Sequence, residues 1–324
     1  MSRRHARTFA SLAVPVALPV QRLAGTLVAT GAPVTIAYAG DPPAAEFVAG
    51  ALCKVEHREP VGWLGSPLEL RSEAFIALSA SADLVAMEVP WAWQRCLPVD
   101  THWRMPAWVS QEILATDRGS IELPVPLRKE VRRHERRHGY ELHFSTDEAD
   151  VRRFHATLYR PYVEARHGGG AVIVDERHFF AVSRGMTLAV LSSAGEWVAG
   201  LLLQRRSSTL HFGWFGAAST PPRSGASEVL DVRVLEWAAR NGIRRAVLGH
   251  SRPSLADGVV RYKQRFGAVV RPTRFPQRIL GLRVQRSSPA LIAALEAARF
   301  VGFRDAQIEV YQPEPVTEVR RTGS

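Results

Sequence analysis

One segment in the second half of the chain constrains the fold most, because strand and helix patterns follow one another there without interruption. Residues 186–192, 197–204 and 209–215 are strand-like and separated by short turns, which predicts an antiparallel meander. Residues 227–241 show the apolar spacing of an amphipathic helix, and residues 246–249 follow as a short buried strand. This order predicts an α/β (α+β) domain.

The composition predicts a folded chain with anionic partners. The 324 residues are 46% apolar, with 8 Trp and 13 Phe, which is enough for a sizeable core and excludes a disordered or fibrous chain. The net charge of +11 favours phosphate-bearing cofactors, nucleic acid or acidic lipid surfaces without choosing among them. The two cysteines, Cys53 and Cys96, exclude a disulfide framework and a Cys-rich metal site, so we expect a cytoplasmic protein.

The N-terminus has some features of an export signal, but its pattern is interrupted. Arg3 and Arg4 precede an apolar stretch that Pro15 and Pro19 break, and no clean small-residue cleavage site follows. The longest uncharged run, residues 23–40, contains a turn, so no membrane span is predicted. We expect residues 1–20 to be a basic tail and residues 313–324 to be a disordered one.

A strongly basic helix is predicted at residues 126–139, which start with proline and end with glycine. The segment holds five arginines and one lysine against two glutamates, and only Leu127 and Val131 offer an apolar contact at helical spacing. We therefore expect a mostly exposed linker helix. It would join an N-terminal domain at residues 21–125 to a C-terminal domain at residues 140–312.

The same helix contains His134-Glu135-x-x-His138, which fits the zinc-binding pattern H-E-x-x-H. Catalytic zinc needs a shielded set of ligands with ordered partners around them. Here four arginines crowd the motif and no third ligand is marked downstream. We expect a solvated helix face and no metal.

The loop before the helix at 227–241 is a candidate anion site. A helix that begins after a loop of small residues exposes unpaired backbone N–H groups and the positive end of the helix dipole. The candidate phosphate-binding residues are Arg223, Ser224, Gly225, Ala226 and Ser227. Alternatively, Ser227 is an ordinary helix N-cap. Glu228 in the first turn would favour the helix and mildly disfavour an anion.

A second candidate lies at residues 257–267, where Lys263 stands among arginines and aromatic residues. A lysine turned toward a cleft can stabilise an oxyanion or hold a phosphate. The alternative is a basic surface helix with Tyr262 and Phe266 in the core. His250 follows the short strand, a plausible position for a catalytic group or for a polar loop that caps the sheet.

Three short motifs give the chain a family resemblance. They are a hairpin at residues 195–200, residues 236–242, and Tyr262-Lys263-x-x-Phe266-Gly267. With the order of predicted elements, the chain resembles the GNAT acyltransferase fold, and within it the FemAB-like and CelD-like branch. The resemblance covers residues 128–270. It implies two tandem GNAT-like halves, of which the N-terminal one is degenerate.

The resemblance also implies roles for residues. Lys263 corresponds to the lysine at the acyl-transfer site of the FemAB branch, and Tyr262 beside it is assigned to donor binding. The family match fixes no general base. His250, His211 and Asp257 are the local candidates, and histidine is favoured because its pKa lies near neutral pH.

The resulting hypothesis is an acyltransferase that moves an acyl group from acyl-CoA to an amine or hydroxyl, in envelope or exopolysaccharide biosynthesis. A second hypothesis replaces the donor by aminoacyl-tRNA, with the helix at residues 128–137 on the RNA backbone. A third is a non-catalytic GNAT-like binding subunit. The donor phosphates make acyl-CoA or tRNA the expected partner, and the oligomeric state stays open.

Overall fold

The computed structural model describes residues 17–66, 69–70, 72–97, 103–117, 119–167, 175–218, 225–273, 278–304 and 307–313. The described residues form two compact units. The first takes in the described parts of Met1–Val109, Ser251–Val260 and Arg271–Ser324, and the second those of Ser110–His250 and Arg261–Val270. The mixed α/β class predicted from the sequence is confirmed.

Strands and helices are numbered here in chain order. The strands are β1 (Leu18–Leu27), β2 (Pro33–Ala39), β3 (Cys53–Leu64), β4 (Leu84–Pro90), β5 (Trp103–Pro106), β6 (Val109–Leu114), β7 (Tyr140–Ser145), β8 (Thr187–Ser193), β9 (Glu196–Arg206), β10 (Thr209–Ala217), β11 (Arg245–Ser251), β12 (Val269–Pro272), β13 (Arg278–Val284), β14 (Val301–Arg304) and β15 (Gln307–Val310). The α-helices are α1 (Pro42–Leu52), α2 (Glu73–Ser81), α3 (Val125–His138), α4 (Glu148–Phe154), α5 (Arg160–His167), α6 (Glu176–Ser183), α7 (Ala226–Arg240), α8 (Gly258–Gln264) and α9 (Pro289–Ala298).

The first unit is built on a six-stranded sheet in the order β3–β1–β2–β4–β13–β5. β2 and β4 run parallel, and the other neighbouring strands are antiparallel. Helices α1 and α9 cover the sheet, with Val48 and Leu295 in one core with Ile36 and Leu282. β1 begins at Leu18, so the predicted tail 1–20 ends inside a strand. Residues 1–16 and 314–324, the bulk of both predicted tails, lie outside the described residues.

The C-terminal segment belongs to the first unit, which differs from the predicted second domain at 140–312. β13 lies between β4 and β5 and pairs with β4 from Arg278↔Pro90 to Val284↔Leu84. Ile279, Leu280 and Leu282 of this strand are buried. β13 is a central strand, and such a strand is apolar on both faces. Its pairing with β4 and β5 therefore assigns this segment to the first unit.

The second unit is built on a seven-stranded sheet in the order β12–β6–β11–β10–β9–β8–β7. The predicted meander is confirmed, because β8, β9 and β10 pair antiparallel in sequence. β11 then pairs parallel to β10, with α7 as the crossover between them. Val229, Leu230 and Leu235 of α7 are fully buried against the sheet.

Helix α3 is an integral part of the second unit rather than the predicted linker. Its two apolar residues, Leu127 and Val131, lie in the same core as α7 and the sheet. Glu135 of α3 also forms an ion pair with Arg233 of α7. The linker prediction was wrong because two buried apolar side chains, together with an ion pair to α7, are enough to hold α3 against the second unit.

One helical segment of the second unit departs from regular α-helix geometry. Between α4 and α5 the chain forms a π-helix at His155–Tyr159, which corresponds to a residue inserted into a continuous helical segment. Among the described residues, no helix has both the length and the apolar composition required to cross a bilayer.

Candidate active site

The two parallel strands β10 and β11 pair over only three residues and then separate. The ladder runs from Thr209↔Arg245 to His211↔Val247, whereas β10 continues to Ala217 and β11 to Ser251. The pairing of β10 with β9 is irregular between Phe212 and Phe215. Backbone groups beyond the ladder are therefore not used between these two strands. We call this place the strand opening, defined by residues 212–217 and 248–251.

The ammonium of Lys263 lies at the strand opening. Its Nζ donates a hydrogen bond to the main-chain oxygen of His250 at 3.1 Å. A Cβ built on Gly249 would lie 4.0 Å from this Nζ and 3.6 Å from the main-chain oxygen of Phe212. Gly249 itself has φ +78°, a backbone conformation that favours glycine. Lys263, predicted from the sequence, is half-buried and lies beside the end of β11, where Phe212 of β10 is also close.

The two predicted histidines have environments that favour the neutral imidazole. The pKa of His250 is lowered by desolvation first, and then by the positive charges of Lys263 and His211. The pKa of His211 is lowered by burial and by the guanidinium groups of Arg206 and Arg245. A neutral imidazole can accept a proton. The structure therefore brings Lys263, His250 and His211 into one electrostatic environment.

Asp257, the other candidate base, caps a helix. Its Oδ1 accepts hydrogen bonds from the backbone N–H groups of Val259 and Val260 at 2.9 and 3.0 Å. A carboxylate that satisfies the first turn of α8 has a structural reason to be there.

Asp231 of α7 was not predicted from the sequence. Its Oδ2 accepts a 2.8 Å hydrogen bond from the hydroxyl of Tyr262. Burial raises the pKa of Asp231 to about 7, against the opposing effects of the Tyr262 hydrogen bond and the Lys263 charge. Burial and the neighbouring carboxyl also raise the pKa of Tyr262. A signal existed in the sequence, because Asp231 shares a helical row with the buried Leu235 and Ala238.

The buried polar residues of β6 were also missed. Gln111 is fully buried, and Glu112 forms a 2.5 Å ion pair with Arg245 of β11. Glu112 also opposes the lowering of the His211 pKa. The local sequence pattern of residues 109–114 does not indicate that these polar side chains are buried.

The N-terminus of α7 differs in detail from its prediction. The N-cap of α7 is Gly225, with φ +82°, so no side chain caps this helix. The alternative that Ser227 is the N-cap is therefore wrong. Ala226 and Ser227 are the first two helical residues. A Cβ on Gly225 would lie 2.6 Å from the ring of His134, so α3 contacts this helix end. Arg223 and Ser224 lie outside the described residues.

A charged cluster lies beside this helix end. Glu228 is buried and pairs with Arg265 at 2.8 Å, and Arg265 pairs with Glu130 at 3.0 Å. Burial raises the pKa of Glu228, and Arg265 opposes this effect. One ligand atom each of Glu130, His134 and Glu228 lies within 4.8 Å of the others, a spacing that could hold a metal ion. In the structure the Arg265 guanidinium balances the charge of both carboxylates, Glu130 and Glu228.

The predicted H-E-x-x-H motif is not assembled as a zinc site. The rings of His134 and His138 stack with their centroids 6.4 Å apart. Glu135 does not join them, because it pairs with Arg233, which also binds Glu236 at 2.6 Å. The predicted solvated face is wrong for Glu135 and His134, whose side chains are only 16% and 14% exposed.

Comparison with known families decides the class of this unit. Residues 126–264 match the family described as acetyltransferase (GNAT) domain, a segment that runs from α3 through the strand opening to the end of α8. This segment is a GNAT acetyltransferase domain. The chain is therefore an acyltransferase. The match includes both α3 and Lys263.

Solved structures show weaker similarity over more of the chain. L-PGS from Bacillus licheniformis is 15% identical, with 83% of each chain covered and a TM-score of 0.41. FemX is 10% identical, with 76% of this chain and 80% of that one covered and a TM-score of 0.40. A GCN5-related N-acetyltransferase from Kribbella flavida is 13% identical, with the same coverage and a TM-score of 0.30. No curated protein sequence matches the chain significantly.

Proposed function

We propose that the GNAT domain transfers an acyl group from acyl-CoA to an amine or hydroxyl acceptor at the strand opening. One observation carries the proposal: the Lys263 ammonium lies where β10 and β11 separate, 3.1 Å from the His250 carbonyl oxygen. Backbone groups released at such an opening can pair with an extended ligand, as they do at a sheet edge.

The chemistry of the transfer assigns tasks to the three predicted catalytic residues. The acceptor nitrogen or oxygen attacks the thioester carbonyl carbon, its proton goes to a base, and the carbon–sulfur bond breaks to release the thiolate, which then takes up a proton. His250 or His211 accepts the first proton, because lowered pKa values keep both imidazoles neutral. Lys263 stabilises negative charge on the carbonyl oxygen.

The donor phosphates are assigned to the N-terminus of α7. Its first N–H groups lie at residues 226–228, where no side chain caps the helix. In this proposal Arg223, Ser224, Gly225, Ala226 and Ser227 contact the phosphates, and Tyr262 lines the donor site. The ion pair of Glu228 with Arg265 reduces the repulsion that the buried carboxylate would otherwise exert.

The acceptor and setting are proposed from the family resemblance alone. Members of the CelD-like branch act in envelope or exopolysaccharide biosynthesis, and we assign the same class of acceptor here. Acyl-CoA is a cytoplasmic metabolite, so the reaction would take place in the cytoplasm.

A second candidate donor is aminoacyl-tRNA, and one observation favours it. The exposed face of α3 carries six cationic side chains in two adjacent rows along about 14 Å of helix. They are Arg128, Lys129, Arg132, Arg133, Arg136 and Arg137, all exposed. None of the six forms an ion pair within the described part of the chain. Such a ridge matches the charge density of a nucleic-acid backbone.

One measurement separates the two donors. Thermal unfolding with acetyl-CoA, longer acyl-CoAs, free CoA and tRNA identifies the donor, because a ligand that binds only the folded state raises its stability. Acyl-CoA stabilisation without tRNA binding supports the first proposal. A response to tRNA alone contradicts it.

The ridge is tested with a matched pair of triple variants. Arg128→Ala/Arg132→Ala/Arg136→Ala removes three charges from α3, and Arg177→Ala/Arg184→Ala/Arg240→Ala removes three exposed charges elsewhere in the second unit. Loss of salt-dependent tRNA binding in the first variant only would favour the tRNA donor. Equal binding by both would exclude the ridge as the RNA contact.

A further inference from the structure

We propose that Asp231 is a positioning residue of the transfer site, which holds the Tyr262 hydroxyl and thereby fixes the neighbouring Lys263 at the strand opening. The proposal rests on the proposed function of Lys263. It concerns a residue outside the predicted site, on a different helix from Lys263, and it predicts that a change at residue 231 is measurable at residue 263.

Helix α8 needs anchors because it is short. It has seven residues, and Val260 is its one buried residue among those described. A helix of this length has little stability of its own, so its position depends on tertiary contacts. Phe266, two residues after the end of α8, is buried, and the Tyr262 ring packs on it with centroids 5.0 Å apart.

The hydrogen bond from Tyr262 to Asp231 is a directional contact between α8 and α7. Its 2.8 Å length is that of a good O–H···O bond, and a carboxylate acceptor makes such a bond stronger than a neutral one. Lys263 is the next residue along the chain, so a rotation of α8 that breaks this bond also moves the ammonium away from the His250 carbonyl.

Charge connects the same residues. The charged groups that act on Asp231 are Lys263 of α8, which favours its carboxylate form, and Glu228 of α7, which opposes it. Electrostatic interaction is reciprocal, so the Asp231 carboxylate favours the protonated form of Lys263. The Asp231 pKa of about 7 places this effect within the neutral pH range.

The composition of the chain permits a direct test. The sequence has three lysines, Lys54, Lys129 and Lys263. Lys54 and Lys129 are exposed and serve as internal references. Trace labelling of the full chain with acetic anhydride, followed by mass spectrometry, reports the reactivity of the Lys263 amine relative to the two references from pH 6 to 10, without donor or acceptor.

The variants are Asp231→Asn, which keeps an acceptor for Tyr262 but removes the charge, and Tyr262→Phe, which removes the hydrogen bond. Ser193→Ala is the control, because it removes a 2.6 Å hydrogen bond to His138 elsewhere in the second unit. Cooperative urea unfolding of each variant verifies that it is folded.

We expect relative labelling of Lys263 between about pH 7 and 9 to rise by up to about threefold in Asp231→Asn, the largest change in the amine fraction that half a pKa unit can produce. The wild-type profile should also show an inflection near pH 7 that this variant lacks. Tyr262→Phe should increase labelling, and Ser193→Ala should leave it unchanged. Wild-type profiles in both site variants, or an equal change in Ser193→Ala, would overturn the proposal.

The outcome is distinguishable from failure of the proposed function. If labelling changes as expected but Lys263→Met transfers acyl groups at the wild-type rate, Asp231 positions Lys263 and the assigned role of Lys263 is wrong. If labelling does not change but Lys263→Met is inactive, Lys263 keeps its role and Asp231 does not position it.

Discussion

The ammonium of Lys263 donates a hydrogen bond to the main-chain oxygen of His250 at 3.1 Å. This contact joins the first helix after β11 to the end of that strand. It also places a positive charge beside a backbone carbonyl at the point where β11 has left β10. Of the predicted catalytic residues, these two are therefore linked directly.

The first prediction concerns Lys263. Lys263→Met should lower the rate of acyl transfer about 10²–10³-fold, the usual cost of losing one donor to a developing oxyanion. Lys263→Arg keeps the charge and should retain part of the rate. The measurement is thiol release from acetyl-CoA with a panel of amine and hydroxyl acceptors. Lys54→Met is the control because this exposed lysine lies in the first unit. A full rate in Lys263→Met would refute its role.

The second prediction concerns stability and pH. The Asp231 carboxyl has a pKa of about 7 in the folded chain, against 3.8 as its reference value. Between these two values the folded state keeps a proton that the unfolded state has lost, so this contribution to stability falls as pH rises from 4 to 7. The loss is at most about 4 kcal/mol.

Asp231→Asn tests this contribution. Its free energy of unfolding in urea should depend less on pH between 4 and 7 than that of the wild type. The histidines titrate in both proteins, so the difference between the two curves isolates Asp231. Parallel curves would contradict the raised pKa.

The third prediction concerns the start of α7. Gly225→Ala should destabilise the protein by a positive-φ cost of about 1–2 kcal/mol, plus a clash with the His134 ring of about 1–3 kcal/mol. Gly242→Ala is the matched control at the other end of α7. It also has positive φ, at +72°, but a Cβ there meets no atom within 4 Å. Equal losses in urea unfolding would show that His134 yields without cost.

The fourth prediction concerns α3. Leu127→Ala should lower the free energy of unfolding by about 2–5 kcal/mol, because this side chain lies in the core of the second unit. Arg128→Ala, next to it and exposed, should change stability by less than about 0.5 kcal/mol. Similar small effects of both would restore the description of α3 as a linker.

The sequence was sufficient for the parts of the fold that depend on local patterns. The meander and the crossover helix follow from apolar periodicity, and their ends follow from turn residues such as Gly242. Lys263 was predicted because a motif marked it. The resemblance therefore predicted Lys263 as a candidate, and the structure places its ammonium at the strand opening.

The remaining features depend on contacts between distant residues. Asp231 could not be paired with Tyr262 without knowing how α7 and α8 face each other. The linker prediction for α3 relied on net charge, and charge does not reveal that Glu135 meets Arg233. The position of β13 was missed because an apolar strand pattern does not specify its partners.

The place of β13 has a consequence for synthesis on the ribosome. Arg278 donates to the main-chain oxygen of Glu88 across 190 residues, so β4 must wait for most of the chain to be translated before it gains this neighbour. The GNAT domain emerges in between and can close first. Until β13 is translated, β4 has an unpaired edge in the first sheet. An unpaired edge strand is prone to aggregation, so this is the stage at which a chaperone would protect the nascent chain.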